Sequence, residues 1–111
     1  MNHERLMSYQ ELLGVAGDVA KRVAKWRRGT SYLADQLNRA MGSALLNLAE
    51  GNGKRSSAKE RRRFFEMSMG SIAEVSACLD LAYIQRLISR SDLDSFKSCL
   101  RLAYVRIDAL P

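Results

Sequence analysis

The sequence predicts an all-α protein, an up-down antiparallel four-helix bundle, and three observations support this fold class. Four segments repeat apolar residues at three- and four-residue steps, which is the spacing of one face of an α-helix. No segment alternates convincingly with period two, and the only proline in 111 residues is the last residue, whereas all-β folds need many turns. Short connections between the segments favour antiparallel neighbours within a single domain over residues 1–111.

The first two helices are predicted at residues 8–27 and 32–50. The first has the apolar stripe Leu12, Ala16, Val19, Val23 and Trp26. Gly29 is expected to end it in a left-handed cap, and Thr30 or Ser31 is expected to cap the second helix. The second helix has the stripe Leu33, Leu37, Ala40, Met41, Ala44 and Leu48, and residues 51–53 (Gly-Asn-Gly) are expected to stop it.

The third and fourth helices are predicted at residues 57–88 and 92–110. Ser57 and Glu60 fit a capping box, in which the serine oxygen accepts from the backbone and the glutamate reaches back. The residues from Ser91 to Asp94 are expected to start the fourth helix. The two apolar stripes are Phe65, Ile72, Val75, Leu79, Ala82 and Leu87, and Leu93, Phe96, Leu100, Ala103, Ile107 and Leu110.

Few residues are available for catalysis. His3 is the sole histidine and is expected to lie in a frayed tail, where a catalytic base cannot be held in place. Cys78 and Cys99 are expected to be small core residues, a reactive thiol being the alternative. Glu50 and Glu74 could form an acid–base pair, but we favour their inclusion in a polar network between helices two and three. The sequence therefore predicts a protein that is not an enzyme, with no cofactor and no metal.

The compartment is predicted from what the composition lacks. No apolar run reaches membrane-spanning length, and the first residues lack the apolar core of a signal peptide, so no membrane association is expected. Two cysteines 21 positions apart form neither a disulfide framework nor a zinc cluster. A reducing, cytoplasmic location is therefore expected.

The formal net charge of +6 is concentrated in the middle of the chain. Residues 21–63 hold twelve basic and three acidic side chains, a net of +9, whereas residues 1–20 have a net of −2 and residues 64–111 a net of −1. A concentrated positive charge of this kind is typical of proteins that bind nucleic-acid phosphates, with an affinity that depends on salt. We therefore predict RNA and/or DNA as a partner.

Ten residues are the candidate contacts to nucleic acid. Several of them crowd the first turns of helix three, where positive charge opposes the helix macrodipole and so suggests an external demand for cations. Base readout is not supported, because no recognition helix or pair of stacking aromatics accompanies them. The alternatives are a solvated face or an adaptor surface for an acidic protein. The candidates are Lys21, Arg22, Lys25, Arg28, Lys54, Arg55, Lys59, Arg61, Arg62 and Arg63.

Helix two also has a polar stripe beside its apolar one. Its short members, Ser43 and Asn47, are poor helix formers, and they suggest that another helix approaches closely. Helix three offers Gly70, where the missing side chain lets a neighbour come near. A ligand pocket is the alternative interpretation. The stripe consists of Gln36, Arg39, Ser43, Asn47 and Glu50, with Gly70, Ser71 and Glu74 as its counterpart on helix three.

These residues resemble the motif of a bacterial four-helix-bundle family encoded in intervening sequences of large-subunit ribosomal RNA. The accessory variability determinant (Avd) proteins of diversity-generating retroelements share its architecture. The similarity covers residues 33–88. The matching positions, which the resemblance assigns to fold and assembly rather than to catalysis, are Arg39, Ser43, Asn47, Glu50, Gly51, Gly70, Ser71 and Glu74.

The resemblance implies properties that composition does not show. Such proteins assemble into homopentameric rings with a positively charged surface, so further copies of the chain are expected as partners. Avd proteins bind nucleic acid and associate with a reverse transcriptase, which needs them to make mutagenic complementary DNA. The resemblance therefore implies binding of structured RNA or an RNA/DNA hybrid in support of a reverse transcriptase. An intervening-sequence protein of undefined role is the alternative within the family.

Overall fold

The computed structural model describes His3 and residues 6–111, and four helices form most of this part of the chain. They are α1 (Met7–Val23), α2 (Ser31–Gly53), α3 (Ala58–Ile84) and α4 (Arg90–Asp108). Each helix packs on its neighbours in sequence, and α1 also packs on α4, so the four helices close into a bundle about 46 Å long. The predicted all-α four-helix bundle is confirmed. None of the described helices combines the length and the apolar character needed to cross a membrane.

Contacts between helix ends show the antiparallel arrangement. Arg22 near the end of α1 donates from Nε to Asp92 Oδ2 near the start of α4, at 2.7 Å. At the opposite end, Arg106 Nε of α4 lies 3.1 Å from Glu11 Oε1 of α1. The first and last helices therefore run side by side in opposite directions.

The core consists mainly of aliphatic side chains contributed by all four helices. Ser68 is a fully buried polar residue among them, and its hydroxyl donates to the carbonyl of Ala44 at 2.7 Å, linking α3 to α2. The predicted apolar stripes supply most of the core, while Ala16, Val23, Trp26, Leu87 and Leu110 lie half-buried at its margin. The largest fully buried side chains are Phe65, Leu12, Leu37, Leu48, Leu79, Leu100, Ile107 and Val75.

Two helices end four residues earlier than predicted. Helix α1 stops at Val23 rather than at residue 27, because the next residues form hydrogen bonds between positions three apart, as in a 3₁₀ turn. An example is Trp26 N to Val23 O at 3.0 Å, and this turn packs the indole against the core. Gly29 is left-handed, with φ +89°, but it lies in the following loop and does not cap the helix. Helix α3 stops at Ile84 rather than at residue 88 because Arg86 adopts a left-handed backbone, with φ +63°.

Two other helix ends extend beyond their predicted limits. Helix α2 continues through Gly51 and Asn52 to Gly53, since these residues are packed beside the start of α3. Helix α4 starts at Arg90, where Ser89 Oγ accepts from the backbone N–H of Asp92 at 3.0 Å, so Ser91 is not its cap. At α3, Ser57 Oγ accepts from Glu60 N as predicted, but the Glu60 carboxylate binds Arg63 instead of reaching back.

Two further expectations concern single residues. His3 is half-buried, and its ring contacts Tyr9 edge-to-face with centroids 4.9 Å apart, whereas residues 1, 2, 4 and 5 of the predicted tail lie outside the described residues. Cys78 is buried as expected, and burial raises the pKa of its thiol. Cys99 is exposed, because it lies on the outer face of α4 between the core positions Phe96 and Leu100.

Candidate nucleic-acid interface

The candidate basic residues form two groups at opposite ends of the bundle, as the up-down topology predicts. We call the group Lys21, Arg22, Lys25 and Arg28 the Arg28 end. We call the group Lys54, Arg55, Lys59, Arg61, Arg62 and Arg63 the Arg61 end. Helix α2 runs between them, and its 23 residues span roughly 35 Å at about 1.5 Å per residue.

At the Arg61 end, the guanidinium of Arg61 binds backbone carbonyls of its own chain. It donates to Gly51 O at 3.3 Å, to Asn52 O at 3.0 Å and to the Pro111 carbonyl at 2.8 Å, and it covers the ring of Phe65 at 4.9 Å. Arg61 thus acts as a C-terminal cap for α2 and fastens the end of the chain beside it.

Arg62 and Arg63 also have internal partners. Arg62 donates to the carbonyl and to the carboxylate of Asp108, the last residue of α4. Arg63 Nε donates to Glu60 Oε2 at 2.9 Å, a contact that lowers the pKa of Glu60. In an antiparallel bundle the start of α3 lies beside the ends of α2 and α4, whose last carbonyls are partially negative. Arg61 and Arg62 bind these carbonyls, which explains locally why cations occur at a helix start.

The remaining cations of the Arg61 end form no ion pair among the described residues, although the charge of Lys54 contributes to the lowered pKa of Glu60. Lys54 lies over the ring of Phe64 at 5.6 Å, and Arg63 lies over the same ring at 4.6 Å. Arg55 and Lys59 are exposed and make no hydrogen bond or ion pair within the described part of the chain. The charge that this end can offer to a ligand therefore comes mainly from Lys54, Arg55 and Lys59.

At the Arg28 end, Arg22 is neutralised and its three companions are not. Arg22 donates from Nε and Nη2 to the two carboxylate oxygens of Asp92, at 2.7 and 3.3 Å, and this contact lowers the pKa of Asp92. Lys21, Lys25 and Arg28 are exposed and have no polar partner in the described chain. Three unpaired cations thus project at this end.

Sequence reasoning missed Arg27 in this group. Its Nη1 donates to the carbonyl of Gln85 at 3.2 Å, which joins the loop after α1 to the loop after α3. The run of cations around Trp26 was the available signal for Arg27. Ser68, the buried link between α3 and α2, left no comparable signal, because its spacing is that of an ordinary core position.

The polar stripe on α2 forms a small network with α3. Ser71 Oγ donates to Ser43 Oγ at 2.8 Å across the two helices. Asn47 Nδ2 donates to the carbonyl and the hydroxyl of Ser43, at 2.9 and 3.0 Å. These contacts match the expected close approach of the two helices at Ser43, Asn47 and Ser71.

The two carboxylates do not join this network. Glu50 and Glu74 are exposed and make no hydrogen bond or ion pair among the described residues, so the expected polar network does not include them. Glu74 instead lines an open cavity of about 490 Å³ with Arg39, Ser43 and Asn47. Gly70 likewise has no neighbour within 4 Å of an added Cβ, so the expected close approach there is absent within one chain.

Gly51 has a clear packing role. A Cβ at this position would lie 2.8 Å from two atoms of the Phe65 ring and 3.0 Å from Cβ of Phe64. Phe65 is only 1% exposed, so its ring has little room to move. The glycine therefore lets α2 and α3 approach closely, in agreement with its assignment to the fold.

The family model described as 23S rRNA-intervening sequence protein matches residues 4–104, nearly the whole chain. A search of curated proteins found no match. Within the described residues, no group of three or more histidine, cysteine, aspartate or glutamate side chains is arranged to hold a metal ion.

Proposed function

The chain belongs to the 23S rRNA-intervening sequence protein family, and we propose that it is a non-enzymatic accessory protein that binds structured RNA through its basic ends. The observation that supports this proposal is that several basic side chains form no ion pair or hydrogen bond with the described chain. Lys21, Lys25, Arg28, Arg55 and Lys59 are exposed cations without a polar partner in the described chain. These cations make no contact that stabilises the fold, whereas binding to phosphates would account for them.

The contacts within the chain determine which variants test the proposal. Substituting Arg61, Arg62 or Arg63 would disturb helix ends as well as charge, because all three bind groups of their own chain. The informative variants are the double substitutions Lys25→Gln/Arg28→Gln and Arg55→Gln/Lys59→Gln. A matched control is Arg90→Gln/Lys97→Gln, which removes the same charge from residues already paired with Asp94 and Asp80.

The measurement is a salt titration of binding to a folded RNA hairpin, by filter retention or gel shift. Each lost phosphate contact should reduce the slope of log affinity against log salt by about 1. We expect a reduced slope and weaker binding for one or both end variants, and unchanged binding for the control. Equal loss in the control would indicate a bulk charge effect, and no binding by the native chain at low salt would refute the proposal.

A reverse transcriptase and further copies of the chain belong to the same proposal as partners. Tighter binding of an RNA/DNA hybrid than of an RNA hairpin would support a role beside a reverse transcriptase. Self-association is supported by exposed apolar residues on α2 and α3, such as Leu46 at 73% and Met67 at 44%. Light scattering after size exclusion would give the number of subunits, for which the proposal expects five, and a monomeric mass would exclude the ring.

An adaptor for an acidic protein is the second candidate, and it uses the same unpaired cations. It predicts a protein partner whose capture survives nuclease treatment and is lost in the Lys25→Gln/Arg28→Gln or Arg55→Gln/Lys59→Gln variant. Loss of the captured material on nuclease treatment would instead favour RNA.

A further inference from the structure

In two neighbouring loops at the Arg28 end, every charged residue is basic. Residues 24–30 and 85–89 contain Lys25, Arg27, Arg28 and Arg86 and no carboxylate. The hydrogen bond from Arg27 to the carbonyl of Gln85 joins the loops, and a carbonyl does not neutralise the guanidinium charge. Arg86, like Lys25 and Arg28, is exposed and makes no hydrogen bond or ion pair among the described residues. The four cations therefore lie on two loops that meet, and two of them, Arg27 and Arg86, were not among the candidates from the sequence.

The backbone at Arg86 makes this position unusual. Its φ of +63° lies in the left-handed region, and the turn is closed by a bond from Leu87 N to Ala82 O at 2.8 Å. Glycine adopts this conformation without steric cost and is the usual residue at such a helix end. The turn therefore gives no reason for an arginine, whereas a ligand for its guanidinium would.

An exposed aromatic ring lies at the same end. Tyr32 is 77% exposed in the first turn of α2, and its hydroxyl has no partner among the described residues. The contact between Ser43 and Ser71 sets the antiparallel register of α2 and α3. Tyr32 lies eleven residues before Ser43, so it is level with residue 82, eleven residues after Ser71 and close to the turn at Arg86.

Among the described residues, the rings at the opposite end are less accessible: Tyr104 of α4, close to Arg62, is 41% exposed against 77% for Tyr32. Phe64 at the Arg61 end is half-buried, and its ring is covered by Lys54 and Arg63 of the same chain. A base therefore has an accessible aromatic face at Tyr32 and not at Phe64. The Arg28 end therefore offers the more accessible stacking surface for an unpaired base.

We propose that the Arg28 end binds an unpaired stretch of nucleic acid, with a base stacked on Tyr32 and phosphates on Lys25, Arg27, Arg28 and Arg86. Aromatic stacking combined with a cationic path for the backbone is the general means of holding single strands, because every base has a stacking face. The inference rests on the proposed function and adds to it the strand type and the residues.

The test is fluorescence anisotropy with labelled oligouridylate and oligothymidylate of about ten nucleotides, a length within the site sizes of single-strand binding modules, and with a duplex RNA of the same length. Loss of one stacked base should weaken single-strand binding by roughly 5- to 150-fold in Tyr32→Ala, with little change for the duplex. Tyr32→Phe should bind like the native chain, because it keeps the ring. The two oligonucleotides show whether RNA or DNA is preferred, and Tyr104→Ala, at a 41% exposed residue of α4, is the aromatic control.

A second variant tests the cations. Arg86→Gly keeps the left-handed turn and removes the guanidinium, so it should fold and yet reduce the salt slope for single strands by about 1. Trp26, the only tryptophan, lies in the loop between Lys25 and Arg27, so its fluorescence should change when oligouridylate binds.

The outcomes separate this inference from the proposed function. If the native chain binds single strands and a folded Tyr32→Ala variant binds them equally well, the inference is overturned while RNA binding stands. Loss of single-strand binding in Arg55→Gln/Lys59→Gln, with no loss in Arg86→Gly, would place the strand at the Arg61 end and also overturn it. If neither oligonucleotides nor hairpins bind at low salt, the proposed function itself fails.

Discussion

Replacing Gly51 by alanine should destabilise the bundle, although alanine is the better helix former. The added Cβ would lie 2.8 Å from two ring atoms of Phe65 and 3.0 Å from Phe64 Cβ. The Phe65 ring is part of the core and only 1% exposed, so relieving the clash requires movement of α2 against α3. Gly42→Ala is the matched control on the same helix, because its Cβ would meet nothing within 4 Å.

The size of the effect follows from two opposing terms. Overpacking of a core contact costs about 1–3 kcal/mol. Exchanging glycine for alanine in a helix gains at most about 1 kcal/mol, and less at a helix end such as that of Gly51. Gly51→Ala should therefore lose about 1–2 kcal/mol of unfolding free energy, whereas Gly42→Ala should gain about 0.5–1 kcal/mol. The two variants differ in sign because only the surroundings of the Cβ differ.

Urea denaturation followed by circular dichroism at the helix band measures both changes. At about 4 °C per kcal/mol for a domain of this size, Gly51→Ala should also lower Tm by roughly 4–8 °C. A Gly51→Ala variant as stable as Gly42→Ala would refute the reasoning, because it would show that α2 and α3 do not approach closely at Gly51.

Three further predictions concern other contacts. Arg61→Ala should lower the unfolding free energy from urea denaturation by about 1–3 kcal/mol, because the carbonyls of Gly51 and Asn52 lose a charged donor. The control Lys59→Ala should change it by less than about 0.5 kcal/mol. Equal effects would contradict the capping role of Arg61. The contact with Arg22 lowers the pKa of Asp92. The ion pair therefore stabilises the fold fully above the ordinary aspartate pKa, and this contribution is lost as the pH falls through the lowered pKa. Asp92→Asn and Arg22→Gln should each reduce the loss of urea midpoint between neutral and acidic pH, and an unchanged loss would disprove the coupling. Cys99 should react with a maleimide in the folded protein, whereas the buried Cys78, with its raised pKa, should react only after unfolding, as counted by mass spectrometry; labelling of Cys78 in the native state would show that α3 opens.

Much of the fold could be predicted from periodicity, because burial on one helix face repeats along the chain. The stripe from Leu93 to Ile107 is an example, since each of its members is buried. Helix ends were less predictable, because they depend on contacts from other elements. Helix α2 continues to Gly53 where Arg61 and Phe65 meet it, and α3 stops at the left-handed Arg86, which has no glycine to mark it.

The sequence predicted which segments of the candidate site are basic, but not which of their cations remain unpaired. The charge profile indicated which segments are basic, and the up-down topology placed them at opposite ends. The profile could not show which cations are already bound within the chain. Arg22 binds Asp92, which is distant in sequence, and Arg62 binds Asp108, so neither contact has a local pattern. Arg27 and Arg86 become neighbours only when two loops meet.

The sequence by itself determined that the chain is a helical bundle with a basic middle, because helical periodicity and net charge are properties of local segments. Tertiary structure alone decided which of those charges remain unpaired. The start of α3 lies beside the ends of α2 and α4, so Arg61 and Arg62 bind carbonyls there, while Lys25, Arg28 and Arg86 are exposed at the same end of the bundle as Tyr32. Long-range packing thus distinguishes the cations that stabilise the fold from those that are available to bind a phosphate.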